Sequence, residues 1–236
     1  MNGVIALVGS GEFTPAMDDV DRELLASTGR DRPRVAIVPA ASWPDGEAVF
    51  RGWAERGDAH FSAMGAEVVP VLMTDRKSAD DASAAASIAS ADLVYFSGGK
   101  PGYLLSLLRD TAAGAALREA YARGAVIAGC SAGAMVLGGH QPQFGGRGFL
   151  RPPFGWQDSL GLVPGLVVIP HYDAIPEMLV APLARAAPKG ALVAGIDENT
   201  ALVGRDGSWQ VQGAGRVTVW RDRRRERHLS GETISL

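Results

Sequence analysis

Ser131 lies between two glycines in the segment Gly129-Cys130-Ser131-Ala132-Gly133, which matches the pattern G-x-S-x-G. In this pattern a tight turn from a strand into a helix exposes the serine above a sheet and places the next backbone N–H beside a reacting carbonyl. A side chain at either glycine would crowd the turn. Because the chain has 30 glycines, the pattern alone can arise by chance. A serine nucleophile also needs a base, an orienting acid and donors for the oxyanion.

The chain has four histidines, one of which would have to take the proton of the serine. His171 comes just after the apolar run 166–169, at the carboxyl end of a predicted strand, where sites assemble in open α/β sheets. His140 is a weaker candidate, in a segment without periodicity. His60 and His228 lie in polar or charged stretches typical of surface groups. The alternative for His171 is a histidine buried for structural reasons.

Two carboxylates could orient the imidazole. Glu198 follows the predicted strand 192–196, and Asp173 lies two residues beyond His171. The residues favour Glu198 only slightly, because a carboxylate at a neighbouring strand end can approach the ring in its plane. Both candidates remain open at this point.

Backbone N–H groups near Ser131 could hold the oxyanion. The pair Gly98-Gly99 ends another predicted strand, and without side chains it lets the backbone approach a substrate, so that it offers an N–H together with that of Ala132. A plain turn is the alternative. Cys130 precedes Ser131 and should point into the fold as an inert thiol.

Apolar strands and helical segments alternate around these residues, as in a parallel sheet that is covered on both faces. The predicted strands are 4–8, 35–38, 67–72, 92–96, 125–128, 166–169 and 192–196. The predicted helices are 17–27, 45–64, 79–90, 101–109, 111–123, 132–137 and 175–187.

The remaining segments have other signatures. Three short strands at 200–203, 209–212 and 216–220 are predicted to form an antiparallel meander on the sheet. Residues 140–156 are predicted to form a long loop at the rim of the site. Residues 9–11 are predicted to be a tight turn, because neither G-x-G-x-x-G nor the Walker lysine pattern is completed.

Composition limits the class of protein. The chain has 236 residues, of which 47% are hydrophobic and 21% are charged, close to the average of globular proteins. This length predicts one α/β domain over 1–236. We assign the meander at about 200–236 to the same domain. A net charge of −3 gives no general attraction to nucleic acid or acidic membranes. The basic run 221–227 lacks interleaved aromatic residues and is predicted to be a solvated strand end.

The first residues and the cysteine content indicate a compartment. The apolar run near the N-terminus lacks a basic flank and is too short for a signal peptide or a membrane span. A single cysteine forms no internal disulfide and offers no Cys cluster for zinc. We therefore expect a protein of the reducing cytoplasm.

Four segments occur in a fixed order, each at the end of a predicted strand. They are Tyr95-Phe96-Ser97-Gly98-Gly99, Ala128-Gly129-Cys130-Ser131-Ala132-Gly133-Ala134, Ile169-Pro170-His171-Tyr172 and Gly195-Ile196-Asp197-Glu198-Asn199-Thr200-Ala201. Ordinary α/β-hydrolases have the order Ser, Asp or Glu, His, so they fit poorly. With these segments the sequence resembles peptidase family S51, which contains aspartyl dipeptidase and cyanophycinase.

The resemblance implies a class I glutamine amidotransferase-like (flavodoxin-like) fold, a three-layer α/β sandwich with a mostly parallel sheet. It also implies a serine peptidase or amidohydrolase that acts on a small peptide or amide without metal or organic cofactor. By this likeness Ser131 is the nucleophile, His171 the base and acid, and Glu198 the residue that holds His171. Gly99 and Ala132 are the oxyanion donors.

The sequence departs from the cyanophycinase pattern where substrate is bound. Those members have an acidic or amide residue after the glycine pair and an arginine-bearing helix after the histidine motif, whereas this chain has Lys100-Pro101 and then Asp173-Ala174-Ile175-Pro176-Glu177-Met178. Substrate specificity therefore does not carry over. An anionic substrate would need a cation, which Lys100 or Arg147 could supply.

Two other functions fit the same fold. One is a non-catalytic protein that binds a ligand in the pocket. The other is an amidotransferase that acts on glutamine, which is disfavoured because that chemistry uses a cysteine where this chain has Ser131. The sequence leaves the oligomeric state open, with a homodimer as one option.

Overall fold

Parallel strands lie at the centre of the fold, as the alternation of strands and helices predicts. The structure is a computed structural model that describes residues 2–143, 155–221 and 224–236. The strands are β1 (Ile5–Val8), β2 (Arg34–Val38), β3 (Glu67–Pro70), β4 (Leu93–Phe96), β5 (Val126–Cys130), β6 (Gly138–Gln143), β7 (Gly155–Asp158), β8 (Val163–Ile169), β9 (Leu192–Ile196), β10 (Thr200–Arg205), β11 (Ser208–Gly213), β12 (Arg216–Arg221), β13 (Arg224–Leu229) and β14 (Thr233–Ser235). The helices are α1 (Asp18–Ser27), α2 (Glu47–Ala63), α3 (Arg76–Ala79), α4 (Ala82–Ala89), α5 (Pro101–Leu108), α6 (Ala112–Arg123), α7 (Ala132–Leu137) and α8 (Glu177–Arg185).

The large sheet has eight strands in the order β14-β11-β10-β1-β5-β4-β2-β3. Neighbours from β1 to β3 are parallel, while β10, β11 and β14 add antiparallel pairs at the other side. Residues of β1, β4 and β5 are buried along their whole length, as expected for central parallel strands covered on both faces. The predicted α/β class with a mostly parallel sheet is confirmed.

A second sheet holds two strands that the sequence pattern assigns to the main sheet. Its order is β13-β12-β9-β8-β6-β7, with β6, β8 and β9 parallel. The strands predicted at 166–169 and 192–196 are therefore present, but they pair away from β1–β5. Their apolar periodicity identifies strands without specifying a partner, since a buried run fits any central position.

The C-terminal strands do not form one meander, so that prediction is wrong in its pairing. β10 and β11 form a hairpin on the large sheet, whereas β12 pairs with β9 and β13 in the second sheet. Four consecutive residues of β12, Val217–Trp220, are buried. Such a strand is covered on both faces, since Val217 and Val219 pack in the layer between the two sheets and Trp220 packs in the layer that contains α8.

Two apolar layers cover the large sheet. On one face, α1 and α2 pack against alternate residues of the strands, including Val8, Ile37 and Tyr95. On the other face, α4 to α7 and the inner face of the second sheet pack against the intervening residues, including Leu7 and Phe96. α8 packs on the far side of the second sheet. The carboxyl ends of β5 and β8 therefore lie close to each other.

The prediction of a loop over 140–156 is wrong at both ends of the segment. β6 extends to Gln143 and β7 begins at Gly155, so both ends of this segment are strands, and 144–154 lie outside the described residues. Gln141 is buried and β6 pairs with β8, although its polar and glycine-rich sequence shows no strand periodicity.

The predicted solvated strand end corresponds to β13. Its arginines are exposed, and Arg225 and Arg227 pair with Glu177 of α8. Residues 222 and 223 lie outside the described part. Among the residues that the structure describes, no helix has both the length and the apolar composition needed to cross a membrane.

Candidate active site

Ser131 occupies a sharp turn between β5 and α7. Its backbone has φ 50° and ψ −107°, a conformation that non-glycine residues adopt only when their surroundings hold them there. The Ser131 N–H donates to the carbonyl of Val8 (2.9 Å), and its own carbonyl accepts the first bond of α7 from Met135 (3.1 Å). These bonds fix the turn and leave the side chain above the end of the sheet.

The two glycines around Ser131 are required by close backbone packing. A Cβ atom at Gly129 would lie 2.5 Å from the carbonyl carbon of Gly133, and one at Gly133 would lie 2.6 Å from the carbonyl oxygen of Phe96. The helix can therefore begin directly above β5 and against β4. The G-x-S-x-G pattern accordingly corresponds to a strand–turn–helix in this fold.

His171 lies between Ser131 and Glu198 and contacts both side chains. His171 Nε2 is 3.1 Å from Ser131 Oγ, and His171 Nδ1 is 2.8 Å from Glu198 Oε1. In the tautomer with the proton on Nδ1, the ring donates to Glu198 and Nε2 is the acceptor that faces the hydroxyl. The side chains of His171 and Glu198 are 40% and 44% exposed.

The glycine pair after β4 lies beside the serine. Gly98 N–H donates to Glu12 Oε1, and Lys100 N–H donates to the Ala41 carbonyl, so the loop is held on both sides of Gly99. Within the described residues, the N–H groups of Gly99 and Ala132 have no hydrogen-bond partner.

A cavity of about 810 Å³ opens at Ser131 and His171. Its described wall is largely apolar, with polar groups from Lys100, Gln143 and Gln157. The apolar side chains are Pro101, Tyr103, Met135, Pro170 and Ile175. Gly99, Ser131, Ala132 and His171 all belong to the wall of this cavity.

Comparison with known proteins identifies the family. The model of Peptidase family S51 matches residues 5–212. The chain belongs to peptidase family S51. The cyanophycinase of Trichormus variabilis is 31% identical over 220 residues, which are 91% of this chain and 72% of that protein.

Solved structures agree with this S51 assignment. A peptidase from an acI-B1 Actinobacterium is 31% identical, with a TM-score of 0.88, and the match covers 100% of this chain and 98% of the other. A putative peptidase E protein from Listeria monocytogenes has a TM-score of 0.63 over 91% of this chain and 100% of the other, and at 19% identity it supports the fold alone. The family and these relatives indicate a peptidase-type hydrolase.

Asp173 contacts the backbone of Glu198 in this S51 chain, not the ring of His171. Its Oδ1 accepts the N–H of Glu198 at 2.8 Å, while Glu198 contacts the imidazole. Of the two carboxylates that the sequence left open, Glu198 is the one that touches His171. Asp173 instead restrains the segment from which Glu198 projects.

The backbone of His171 is held by its neighbour Tyr172. His171 has φ 51° and ψ 39°, in the left-handed region. The Tyr172 ring lies so close to Gly195 that a Cβ atom there would be 2.0 Å from Cδ2, and the Tyr172 hydroxyl accepts a bond from Trp220 Nε1 at 3.0 Å. The buried tyrosine therefore fixes the turn that presents the imidazole.

The other histidines lie away from the S51 site. His140 Nδ1 is 3.0 Å from Asp158 Oδ1, and His228 contacts Glu232. The prediction that His60 is a surface group is wrong, since its side chain is only 10% exposed and its Nε2 lies 2.8 Å from the buried Asp21. The sequence around His60 does not show this, because the partner that allows burial comes from another helix.

Cys130 and Glu12 form a buried polar contact beneath the turn at Ser131. Cys130 is fully buried, as predicted, and its Sγ donates to Glu12 Oε2 at 2.8 Å. Burial and the nearby Glu12 raise the pKa of this thiol well above its ordinary value. Sequence reasoning missed Glu12, which follows the tight turn after β1.

Among the described residues, no three His, Cys, Asp or Glu side chains converge as metal ligands.

Proposed function

We propose that this S51 protein is a serine peptidase that cleaves a small peptide or amide bond through an acyl-enzyme. The observation that carries the proposal is the continuous contact from Ser131 Oγ to His171 Nε2 (3.1 Å) and from His171 Nδ1 to Glu198 Oε1 (2.8 Å). A nucleophile within reach of a base that is itself oriented by an acid is the arrangement on which serine hydrolysis depends.

In the first step His171 Nε2 accepts the hydroxyl proton while Ser131 Oγ attacks the substrate carbonyl. The imidazolium that forms is stabilised by Glu198, which keeps the Nδ1 proton in place on the ring. The carbonyl oxygen becomes an oxyanion and accepts hydrogen bonds from the free N–H groups of Gly99 and Ala132. His171 then protonates the leaving amine, and the C–N bond breaks.

Water completes the cycle on the acyl-enzyme. His171 takes a proton from water, whose oxygen attacks the ester carbonyl, and the same two N–H groups hold the second oxyanion. Collapse returns the proton to Ser131 Oγ and releases the acid. The chain of groups needs no cofactor for these proton transfers.

The charge of the substrate that the site accepts depends on the cations around the cavity. Lys100 lines the cavity, and its Nζ lies 3.0 Å from Asp45 Oδ1. Arg147, the other predicted cation, lies outside the described residues. We propose that Lys100 is the group that meets an acidic substrate, in competition with Asp45. A peptide or amide bond as the target fits the S51 peptidase family.

A fluorophosphonate probe tests the proposed chemistry without knowledge of the substrate, because the serine oxygen attacks phosphorus and fluoride leaves. We expect labelling that Ser131→Ala abolishes and that His171→Ala slows by several orders of magnitude, the usual effect of losing a triad member. His140→Ala is the matched control, since it removes a histidine that also pairs with a carboxylate but lies outside the cavity.

The same experiment separates the enzyme from a ligand-binding protein of this fold. If the folded wild type takes no label, or if Ser131→Ala is labelled like the wild type, the serine assignment fails. Hydrolysis of a library of dipeptides and isopeptides then identifies the bond that is cut, with Ser131→Ala as the blank.

A further inference from the structure

Glu12 is a buried carboxylate for which the proposed reaction has no direct use. Its residue exposure is 7%, and it follows the turn after β1. In the large sheet β1 lies next to β5, and β4 is the strand beyond β5. Burial of a charged or polar group costs free energy unless hydrogen bonds compensate it. The contacts of Glu12 therefore indicate what it stabilises.

Each carboxylate oxygen of Glu12 accepts one hydrogen bond from a different part of the site. Oε1 accepts the N–H of Gly98 at 2.9 Å, in the loop after β4. Oε2 accepts the thiol proton of Cys130 at 2.8 Å, at the end of β5. The raised pKa of Cys130 keeps the thiol protonated, so it remains a donor. One side chain thus joins the ends of three strands.

The contact with Gly98 lies directly beside the nucleophile. A Cβ atom built on Gly98 would be 3.1 Å from Glu12 Oε1 and 3.3 Å from Ser131 Cβ, so Gly98 is enclosed between these two side chains. With the Gly98 N–H bound to Glu12, the next N–H along the chain, that of Gly99, faces no acceptor within the described residues.

We propose that Glu12 is a positioning residue for the oxyanion site: it anchors the Gly98 peptide so that the Gly99 N–H stays directed at the carbonyl attacked by Ser131. This inference rests on the proposed serine chemistry. Glu12 contacts neither substrate nor the serine oxygen, and it acts through the backbone of the glycine pair. Its Oε1 supplies the acceptor for the Gly98 N–H, and this contact is separate from the one that its Oε2 makes with Cys130.

The negative charge of Glu12 would slow the reaction, whereas anchoring of the Gly98 peptide would speed it. A carboxylate close to a developing oxyanion repels it, so a purely electrostatic role predicts faster reaction when the charge is removed. Anchoring predicts slower reaction when the acceptor is removed. Glu12→Gln removes the charge and keeps an acceptor for Gly98, whereas Glu12→Ala removes both.

The test is the second-order rate constant for fluorophosphonate labelling, whose transition state also places charge on an oxygen in the oxyanion site. Loss of a whole oxyanion donor costs about 10²–10³-fold, and Glu12→Ala displaces a donor without deleting it, so we expect labelling slower by about tenfold to a hundredfold. Glu12→Gln should recover most of the lost rate. Glu12→Asp keeps the charge on a shorter side chain, and its rate constant for labelling should lie between those of Glu12→Ala and wild type.

Two controls separate positioning from loss of stability. Asp21→Asn alters another buried carboxylate on the same face of the sheet, which contacts His60 and not the glycine pair. Cys130→Ala removes the donor to Oε2 and leaves the Gly98 contact. Both should label within about threefold of the wild-type rate when circular dichroism shows that they are folded, because neither removes an oxyanion donor. With an identified substrate, Glu12→Ala should lower kcat and leave KM nearly unchanged.

Folded Glu12→Ala that labels at the wild-type rate would overturn the inference. If that variant does not fold, Glu12→Asp decides, because labelling of the shortened side chain at the wild-type rate would overturn the inference equally. Glu12→Gln that is as slow as Glu12→Ala would show that the charge and not the acceptor is required, and it would contradict anchoring. Glu12→Ala and Glu12→Gln that are both faster than wild type would assign the effect to repulsion by the charge and would contradict anchoring as well. In each case labelling that still depends on Ser131 keeps the proposed function, whereas labelling of Ser131→Ala refutes it.

Discussion

Substitution of Glu198 by glutamine tests which carboxylate assists His171. Glu198 Oε1 lies 2.8 Å from His171 Nδ1. In the proposed mechanism the imidazole accepts the serine proton and becomes an imidazolium next to the carboxylate in the transition state. Glu198→Gln keeps the size of the side chain and removes this attraction, so the effect should appear in the rate of the chemical step.

The size of the effect follows from the distance and the exposure of the pair. At 2.8 Å two unit charges attract by about 1.5 kcal/mol in water and by about 6 kcal/mol at an effective dielectric constant of about 20. The two side chains are 40% and 44% exposed, which favours an intermediate value of about 3 kcal/mol. The expected loss of rate is therefore roughly 10²-fold. The free energy of unfolding should change by less than about 1 kcal/mol, since both side chains are partly exposed and exposed pairs contribute little to stability.

Asp173→Asn is the matched control, because it neutralises the neighbouring carboxylate and keeps an acceptor for the Glu198 N–H. We expect labelling by fluorophosphonate within about threefold of wild type, whereas Asp173→Ala loses a hydrogen bond worth about 0.5–1.5 kcal/mol and should slow labelling by about two- to tenfold. Thermal unfolding of each variant monitors stability. If Asp173→Asn is slowed as much as Glu198→Gln or more, the contact between Glu198 and His171 does not control the base.

Three further changes test the surroundings of the site. Burial raises the pKa of Asp21 above its ordinary value of 3.8, so its contribution to stability is present below that pH and is lost as the pH rises through the raised pKa. The free energy of unfolding, measured by urea denaturation, should therefore decrease less in Asp21→Asn than in wild type between about pH 4 and pH 7. Equal decreases in the two proteins would contradict a raised pKa of Asp21. Gly195→Ala places a Cβ atom 2.0 Å from the Tyr172 ring, and overpacking of this kind costs about 1–3 kcal/mol. The melting temperature and the labelling rate should both fall, and an unchanged labelling rate would show that Tyr172 does not hold the imidazole. Lys100→Met should lower kcat/KM for acidic peptides by about two- to fivefold and leave neutral peptides unaffected, as for an exposed ion pair; an unchanged kcat/KM for acidic peptides would remove Lys100 as the substrate cation.

The candidate site could be predicted from sequence because each of its groups has a local signature. Ser131 lies between two glycines, and His171 and Glu198 each follow a strand. The carboxyl ends of parallel strands lie on one side of a sheet, and this rule places His171 and Glu198 together at the ends of β8 and β9. It does not by itself bring them to Ser131, which follows β5 of the other sheet. The order of the motifs in the chain then indicates the family.

The pairing of the strands could not be predicted in the same way. β8 and β12 are buried runs, and a buried run shows only that both of its faces are covered. Which strand lies beside them depends on contacts between distant segments, and these place both in the second sheet. β6 escapes prediction for a different reason, since its pairing with β8 outweighs the low strand propensity of Gly138–Gln143.

Glu12 shows the same limit at the level of a single side chain. A glutamate after a glycine turn is indistinguishable in sequence from a solvated residue, and its partners Gly98 and Cys130 are 86 and 118 residues away along the chain. The strand order β1-β5-β4 brings the loops after these strands together. Because β1 lies beside the strand that carries Ser131, a residue from the start of the chain can reach the glycine pair across it. The topology of the sheet therefore determines which peptide is anchored and, by the proposed mechanism, where the oxyanion donor points.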